Sequence, residues 1–128
     1  MEIKSISTPQ APTPAGHYSQ ATVHQGVVYL AGQLPIDPRT GSKEVGTIER
    51  QTEQVLRNID AVLQAAGSDL AHVLKVTVYI SDIELWGRVN QVYARMMGDH
   101  RPARSVVPVK DLHYGFQIEM DVIAAVAN

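Results

Sequence analysis

The clearest candidate for binding a small acid is Arg104, which lies in the segment Arg101-Pro-Ala-Arg-Ser105. This segment opens a predicted strand, so the backbone that carries the arginine is expected to be rigid. The planar guanidinium presents a fork of N–H donors that matches a carboxylate. Composition alone favours the alternative of a surface or ion-paired arginine, and both interpretations stay open at this point.

Glu119 and Asp121 place two carboxyl groups in an otherwise apolar, alternating strand. Side chains two residues apart on a strand point to the same face, so this pair could perform general acid–base chemistry. An ion-pair set at an interface is the alternative, and the pattern alone favours it. Because Arg104 opens a neighbouring strand of the same predicted sheet, we expect it to lie within reach of Glu119.

Two glycine-containing segments could complete a pocket. The run Gly16-His-Tyr-Ser-Gln20 places His17 and Tyr18 just before the first long strand, and Ala31-Gly32-Gln33 ends the next strand. A glycine in a strand allows a ligand to approach the backbone closely. A solvated histidine and a simple bulge are the alternatives for these two segments.

Several kinds of site are excluded by residue type. The chain has no cysteine, and its five histidines form neither a His-x-x-x-His nor a His-Glu-x-x-His pair. It has neither a glycine-rich phosphate loop nor a nucleophile elbow. We therefore expect a site that needs no metal and no cofactor.

Charge and hydropathy limit the expected partners and location. The net charge is −2 with scattered Lys and Arg, whereas nucleic-acid-binding proteins concentrate basic residues on one face. The N-terminal segment lacks the apolar region of a signal peptide, and no run approaches the ~18–20 apolar residues of a membrane span. We expect a cytoplasmic protein that contacts neither nucleic acid nor membrane.

Hydrophobic periodicity predicts one domain over residues 1–128 with the order β-β-α-β-α-β-β. One helix is predicted from Ile48 to Ala66, and a second from Ser81 or Asp82 to Gly98. Gln25-Gly26 is predicted to join the first hairpin. The predicted strands cover residues 21–24, 27–31, 73–80, 103–107 and 116–126, with a short first strand near 3–6.

Two helices can cover only one face of the predicted sheet. On strand 73–80, that covered face is expected to carry Leu74, Val76, Val78 and Ile80. The opposite face would carry polar and aromatic side chains, namely Lys75, Thr77, Tyr79, Gln117, Glu119 and Asp121. This second face could form a subunit interface or a site, or it could be solvated, and periodicity favours neither.

Taken together, these segments resemble the Rid family, the reactive-intermediate imine/enamine deaminases, also called RidA-type or YjgF-like proteins. The resemblance runs almost from end to end and is most specific in Arg-Pro-Ala-Arg-Ser. Its other segments are Ala11-Pro12, Gly16 to Ala21, Gly32 to Pro35, Gln51 to Asn58, Ala65 to Ser68, Val89 to Tyr93 and Ile118 to Ala124.

The resemblance implies a chorismate-mutase-like α+β fold and a homotrimer with three sites between its subunits. It also implies hydrolysis of enamines and imines, such as 2-aminoacrylate and 2-iminobutyrate, to 2-keto acids and ammonia without a cofactor. Arg104 matches the carboxylate-binding arginine of the family, and Glu119 matches the acid that positions or activates water. The matching pocket residues are Tyr18, Gly32 and Asn90.

Four departures from the family pattern leave the size and preference of the pocket open. Ala31 stands in place of a usual Ser or Thr, Val106 in place of a frequent Cys, and His17 in place of the usual Pro. The segment Leu112–Phe116 replaces a turn of the Leu-Pro-Lys-Asp type. Ala31 and Val106 remain candidate pocket residues, Val106 through its backbone carbonyl.

Two alternatives to a general imine deaminase stay open. One is a non-catalytic trimer that binds small ligands or acts in regulation, translation inhibition or chaperoning. Such a scaffold needs neither Arg104 nor Glu119, so their presence favours an enzyme. The other is a deaminase of a single pathway, for example one for aminomuconate-like acids, which the altered segment Leu112–Phe116 could serve.

Overall fold

The computed structural model describes residues 2–127 as a mixed α+β fold with a six-stranded sheet and two helices. The strands and helices are β1 (Lys4–Ile6), β2 (Ala21–His24), β3 (Val27–Gln33), α1 (Ile48–Ala65), β4 (Val73–Ile80), α2 (Trp86–Met97), β5 (Ala103–Pro108) and β6 (Ile118–Ala125). The predicted order of strands and helices is confirmed, including the short first strand. Three short 3-10 turns lie at Leu70–His72, Ile83–Leu85 and His113–Gly115.

The strands are arranged in the order β1-β2-β3-β6-β4-β5. Neighbouring strands are antiparallel except β4 and β5, which are parallel because α2 carries the chain back across the sheet between them. The hairpin between β2 and β3 turns at Gln25 and Gly26, whose φ angles are 51° and 78°. Two positive φ angles in a two-residue loop suit the right-handed twist of the strands.

Both helices pack on one face of the sheet, and the hydrophobic core lies between the two layers. Helix α1 begins after Thr47, whose hydroxyl accepts a hydrogen bond from the Arg50 amide, and Gly67 follows its end with a φ of 79°. The core combines apolar side chains of α1 (Val55, Leu56, Ile59, Val62, Leu63), of α2 (Val89, Tyr93, Met97) and of the sheet (Val28, Val76, Val78, Ile80, Ile118, Met120, Ala124). None of the helices within residues 2–127 combines the length and hydropathy needed to cross a bilayer.

The opposite face of the sheet, called the open face below, carries partly exposed side chains that alternate with buried ones. On β4 and β6 these are Thr77, Tyr79, Glu119 and Asp121, as the alternation predicts. The Tyr79 hydroxyl donates a hydrogen bond of 3.1 Å to Asp121. The pKa of Tyr79 is raised by burial and, to a smaller degree, by the nearby Asp121 carboxylate.

The expected position of Leu74 among the core residues is wrong. Its side chain is 50% exposed, whereas Val73 is buried. The pairing of β4 with β6 shifts register between Val73 and Lys75. Such a bulge breaks the alternation at one residue, so the regular two-residue pattern applies only from Lys75 onward.

Candidate active site

Arg104 is held by three side chains of helix α2. Its Nη1 donates a hydrogen bond of 3.1 Å to Asn90 Oδ1. The guanidinium carbon lies 4.5 Å from the centre of the Trp86 ring and 4.9 Å from that of the Tyr93 ring. A cation over an aromatic face is attracted by the ring quadrupole. These contacts fix the direction of an exposed guanidinium, which suits it for gripping an anion.

The cavity beside Arg104 is electropositive. It has a volume of about 420 Å³, and the residues that line it are Asn90, Tyr93, Ala94, Met97, Gly98, His100, Arg101, Pro102 and Arg104. Two arginines are present in this lining and no carboxylate. The buried Tyr93 hydroxyl makes no well-formed hydrogen bond within the described chain. Burial raises the pKa of Tyr93, and the adjacent Arg104 opposes this shift. The cavity is therefore complementary to a small anion.

Glu119 occupies a different place, where its carboxylate lies directly against Gly32. The ladder between β3 and β6 shifts register between Leu30 and Gln33, so the backbone at Gly32 lies in a bulge. A Cβ atom at position 32 would overlap a carboxylate oxygen of Glu119 and would lie 3.2 Å from its carboxyl carbon. Glycine is therefore required at position 32 for the observed position of the carboxylate.

The environment of Glu119 raises the pKa of its carboxyl group. Burial is the main cause, and the nearby Asp121 adds to it, whereas His113 acts in the opposite direction. Desolvation disfavours the charged form of a carboxyl group, as does a second carboxylate on the same face. The raised pKa of Glu119 lies closer to neutral pH than that of an exposed glutamate, which suits a group that accepts and returns a proton.

A second cavity, of about 330 Å³, lies beside Gly32. Tyr18 lines it from the N-terminal arm, and its hydroxyl accepts a hydrogen bond of 3.4 Å from the Ala15 amide. The full lining is Pro12, Thr13, Ala15, Gly16, Tyr18, Gln20, Gly32, Gln33, Leu34, Ile36, His113 and Tyr114. The fold thus brings Tyr18 and Gly32 together, near Glu119.

Comparison with known proteins agrees with this fold and these residues. Residues 8–126 match the family model described as Endoribonuclease L-PSP. A protein of the Rid family from Yersinia pestis has a solved structure that superimposes with a TM-score of 0.94 at 43% identity, covering 98% of this chain and all of that one. The chain belongs to the YjgF/Rid family. Its α+β architecture is accordingly the chorismate-mutase-like fold that the resemblance implies.

Other members of the Rid family carry different functional names. A RutC family protein of Pyrococcus horikoshii is 47% identical over 119 residues, covering 93% of this chain and 94% of that protein. A 2-iminobutanoate/2-iminopropanoate deaminase of Rattus norvegicus is 38% identical over 121 residues, covering 94% of this chain and 88% of that protein. AldR of Lactococcus lactis, whose name proposes a regulatory role, is 40% identical over 126 residues, covering 98% of this chain and all of that protein.

Two more solved structures show how broad these names are. A Thermotoga maritima protein named as a candidate endoribonuclease has a TM-score of 0.94 at 45% identity, and the match covers both chains completely. The E. coli protein TdcF, solved with bound serine, has a TM-score of 0.92 at 31% identity, covering 97% of this chain and 99% of that one. Family membership is therefore firm, whereas the activity has to be argued from the site.

The expectation that Arg104 lies within reach of Glu119 in the same sheet is wrong. Strand β4 separates β5 from β6, and Arg104 pairs with Val76 whereas Glu119 pairs with Tyr79. These registers separate the two backbones by about 10 Å along the strands and about 9.5 Å across them. Arg104 also contacts α2 on the helical face, whereas Glu119 lies on the open face. Within one chain of this Rid protein the sheet stands between them.

Ala31 and Val106 line neither of the two cavities. The Ala31 amide donates a hydrogen bond of 2.9 Å to the Gln20 carbonyl, which ties the N-terminal arm to β3. Val106 pairs with Val78, and its side chain packs against the core. His17 is exposed. The assignment of Ala31 and Val106 to the pocket stays a prediction.

Four residues near the two cavities were not identified individually as site residues from the sequence. Trp86 and Tyr93 were not among the candidate site residues, yet both contact Arg104. Their spacing of three to four residues from Asn90 was the available signal, because it puts all three on one side of a helix. His113 and Tyr114 line the second cavity, and the available signal was that their segment, Leu112–Phe116, departs from the Rid pattern.

The close approach of Glu119 to Gly32 predicts the effect of adding a single methyl group. Gly32→Ala would displace the carboxylate by on the order of 1 Å, so we expect kcat/KM of a reaction that uses Glu119 to fall by about 100-fold. Gly87→Ala is the matched control, since a Cβ there meets nothing within 4 Å and alanine favours the helix. Equal activity of Gly32→Ala and Gly87→Ala would show that the position of the carboxylate has no role.

Within residues 2–127, no group of three or more His, Asp or Glu side chains is arranged to hold a metal ion. The structure instead offers one held cation, Arg104 in the first cavity, and one carboxyl group of raised pKa, Glu119, which lies against Gly32. These groups can bind an anionic molecule and move a proton to or from water.

Proposed function

We propose that this protein hydrolyses 2-imino acids, and the enamines in equilibrium with them, to 2-keto acids and ammonia. The observation that carries the proposal is the carboxyl group of Glu119, which lies against Gly32 beside a cavity and has a raised pKa. The anion-binding cavity at Arg104 and the deaminase name of the rat relative support the same assignment. TdcF, with its bound serine, shows that a member of this fold binds an amino acid.

The chemistry follows from the reactivity of the imine. A protonated C=N bond is already electrophilic, so the protein has to anchor the substrate and deliver water. Arg104 would bind the substrate carboxylate through charge-assisted hydrogen bonds. Glu119 would accept a proton as water adds to the imine carbon and would pass that proton to nitrogen. It would then take the hydroxyl proton as the C=O bond forms and ammonia leaves, and release that proton to solvent. The products are a 2-keto acid and ammonia, and water is the only other reactant.

Both residues can act on one molecule only if two subunits meet. Arg104 and Glu119 of a single chain lie on opposite faces of the sheet, too far apart for a substrate of three or four carbons. The open face needs a cover, because it carries the half-exposed Tyr29 besides its partly exposed polar groups. We propose a homotrimer in which Arg104 of one subunit faces Glu119 of the next, so that rotational symmetry repeats the site three times.

Mixing two inactive variants tests this arrangement. In Arg104→Ala each subunit keeps Glu119, and in Glu119→Gln each keeps Arg104. If every site combines the two residues from different subunits, random co-assembly restores about a quarter of the wild-type sites. If a site used both residues of one chain, no mixture would recover activity. The measurement is keto-acid release from an imine generated in situ, corrected for the uncatalysed rate.

The mixed assemblies need a control for their composition. Co-expressed variants with different affinity tags can be purified in two steps, which isolates trimers that contain both kinds of subunit, and in these about a third of the sites should be complete. Light scattering should give about three times the chain mass of 14.0 kDa for the wild type and for every mixture. A stable monomer at micromolar concentration would contradict the shared site as well as the trimer.

A regulatory ligand-binding role is the second candidate, favoured by the name of AldR, which is 40% identical to this chain. Such a protein would bind a small 2-keto or amino acid at Arg104 without turnover. Calorimetry that detects binding of the keto acid, together with no acceleration of imine hydrolysis by the wild type, would favour this role over the deaminase.

A further inference from the structure

Tyr114 has an unusual backbone conformation beside the second cavity. Its φ and ψ angles are 61° and 18°, in the left-handed region. A bulky residue rarely adopts this conformation, and it persists only where the surrounding structure holds it. Of the described residues, the only other non-glycine with a positive φ is Gln25, in the β2–β3 turn. The conformation of Tyr114 therefore needs an explanation from its surroundings.

The Tyr114 ring is held on several sides and still faces the cavity. The Lys43 ammonium lies 4.6 Å from the ring centre, and the buried Phe116 meets the ring edge to face, with the ring centres 6.0 Å apart. Gly115, which follows it, lies near Val45. Yet 46% of Tyr114 remains exposed, and the residue lines the cavity that also contains Gly32. An aromatic ring that is held in place and partly exposed can contact a bound molecule.

Tyr114 and three other residues of the lining give the cavity an apolar wall. Tyr18 comes from the N-terminal arm, Leu34 and Ile36 come from the segment after β3, and all three line the same volume of about 330 Å³. The side chain of 2-iminopropanoate is a single methyl group, which is too short to contact a wall built from several elements. A long apolar or aromatic side chain could fill this space, and a ring could stack on Tyr114.

We propose that Tyr114 is a specificity-determining residue. It favours 2-imino acids with large apolar or aromatic side chains over 2-imino acids that have only two to four carbons in total. This inference rests on the proposed function, since it assigns a substrate class to the same site. Gly32 lines the cavity and Glu119 lies against Gly32, so the reacting carbon would sit near Gly32 while the side chain extends toward Tyr18 and Tyr114. The segment His113–Gly115 thereby acquires a role in selecting the substrate.

The test is a ratio of two rates measured on the full-length protein. An amino-acid oxidase generates the imines of phenylalanine and alanine in situ, and keto-acid release above the uncatalysed rate gives kcat/KM for each. We expect the wild type to favour the phenylalanine imine by about 10-fold or more. In Tyr114→Asn, which tolerates the left-handed backbone but lacks the ring, this ratio should fall by about 10-fold. Tyr114→Phe keeps the ring and should keep the ratio within about twofold.

The possible outcomes test the proposed function and the role of Tyr114 separately. If the wild type accelerates neither imine, the proposed function fails and the inference fails with it. If the wild type is active but shows no preference for the phenylalanine imine, or if Tyr114→Asn keeps the wild-type ratio, only the inference on Tyr114 is overturned. Tyr114→Gly serves as a second variant that adopts positive φ freely, so a folding defect of the first cannot hide the result.

Discussion

Glu119→Gln is expected to lower kcat for imine hydrolysis by about 100- to 10,000-fold. The amide has nearly the same shape as the carboxyl group and can occupy the same position against Gly32. It cannot accept a proton from water, however, so the addition step loses its base. Single-turnover assays on 2-iminobutyrate, with light scattering to verify the assembly, give the measurement. Wild-type turnover by a correctly assembled Glu119→Gln would remove Glu119 from the mechanism.

The pH profile gives a second measure of the same residue. Because burial raises the pKa of Glu119, the carboxylate becomes protonated at a higher pH than an exposed glutamate would. The base form is therefore lost as pH falls through that raised pKa, and kcat/KM should decline on the acidic side earlier than for an ordinary carboxylate. The acidic decline should be absent in Glu119→Gln. Protonation of the substrate affects both proteins equally, so the ratio of their rates isolates the contribution of Glu119.

Arg104→Ala is expected to lower kcat/KM by about 10- to 150-fold, which corresponds to the loss of one charge-assisted hydrogen-bonded pair with the substrate carboxylate. The loss grows if Arg104 also orients the imine toward Glu119. Arg104→Lys should recover only part of the activity, because an ammonium offers no bidentate fork and does not reproduce the stacked guanidinium over Trp86 and Tyr93.

Two controls make the Arg104 result specific. Arg95→Ala removes an arginine of α2, whose partner is Glu53 at 2.6 Å, and should leave kcat/KM within about twofold of wild type. For an imine whose carboxylate is replaced by an ester, kcat/KM in Arg104→Ala should be nearly the same as in the wild type. If the ester and the acid respond equally to the substitution, Arg104 does not bind the carboxylate. If Arg104→Ala keeps full activity as a trimer, Arg104 does not anchor the substrate.

Local physical chemistry made most of the fold predictable from the sequence. The helix that begins at Ile48, the strand from Lys75 to Ile80 and the turn at Gln25-Gly26 depend on residues within a few positions of one another. The motif around Arg104 and the acidic pair of β6 likewise identified the Rid family, which the comparisons confirm. These features are encoded in short-range spacing and residue type, so a single sequence reveals them.

Only the tertiary structure decided how these elements meet. Strand order and register depend on pairing between distant segments. The order places β4 between β5 and β6, and the register turns Arg104 and Glu119 to opposite sides of the sheet. The contact of Glu119 with Gly32 and the position of Tyr114 beside Tyr18 arise in the same way. Each joins residues that are more than eighty positions apart, and no local preference of the chain specifies such a contact, because it depends on how the whole sheet and its loops pack.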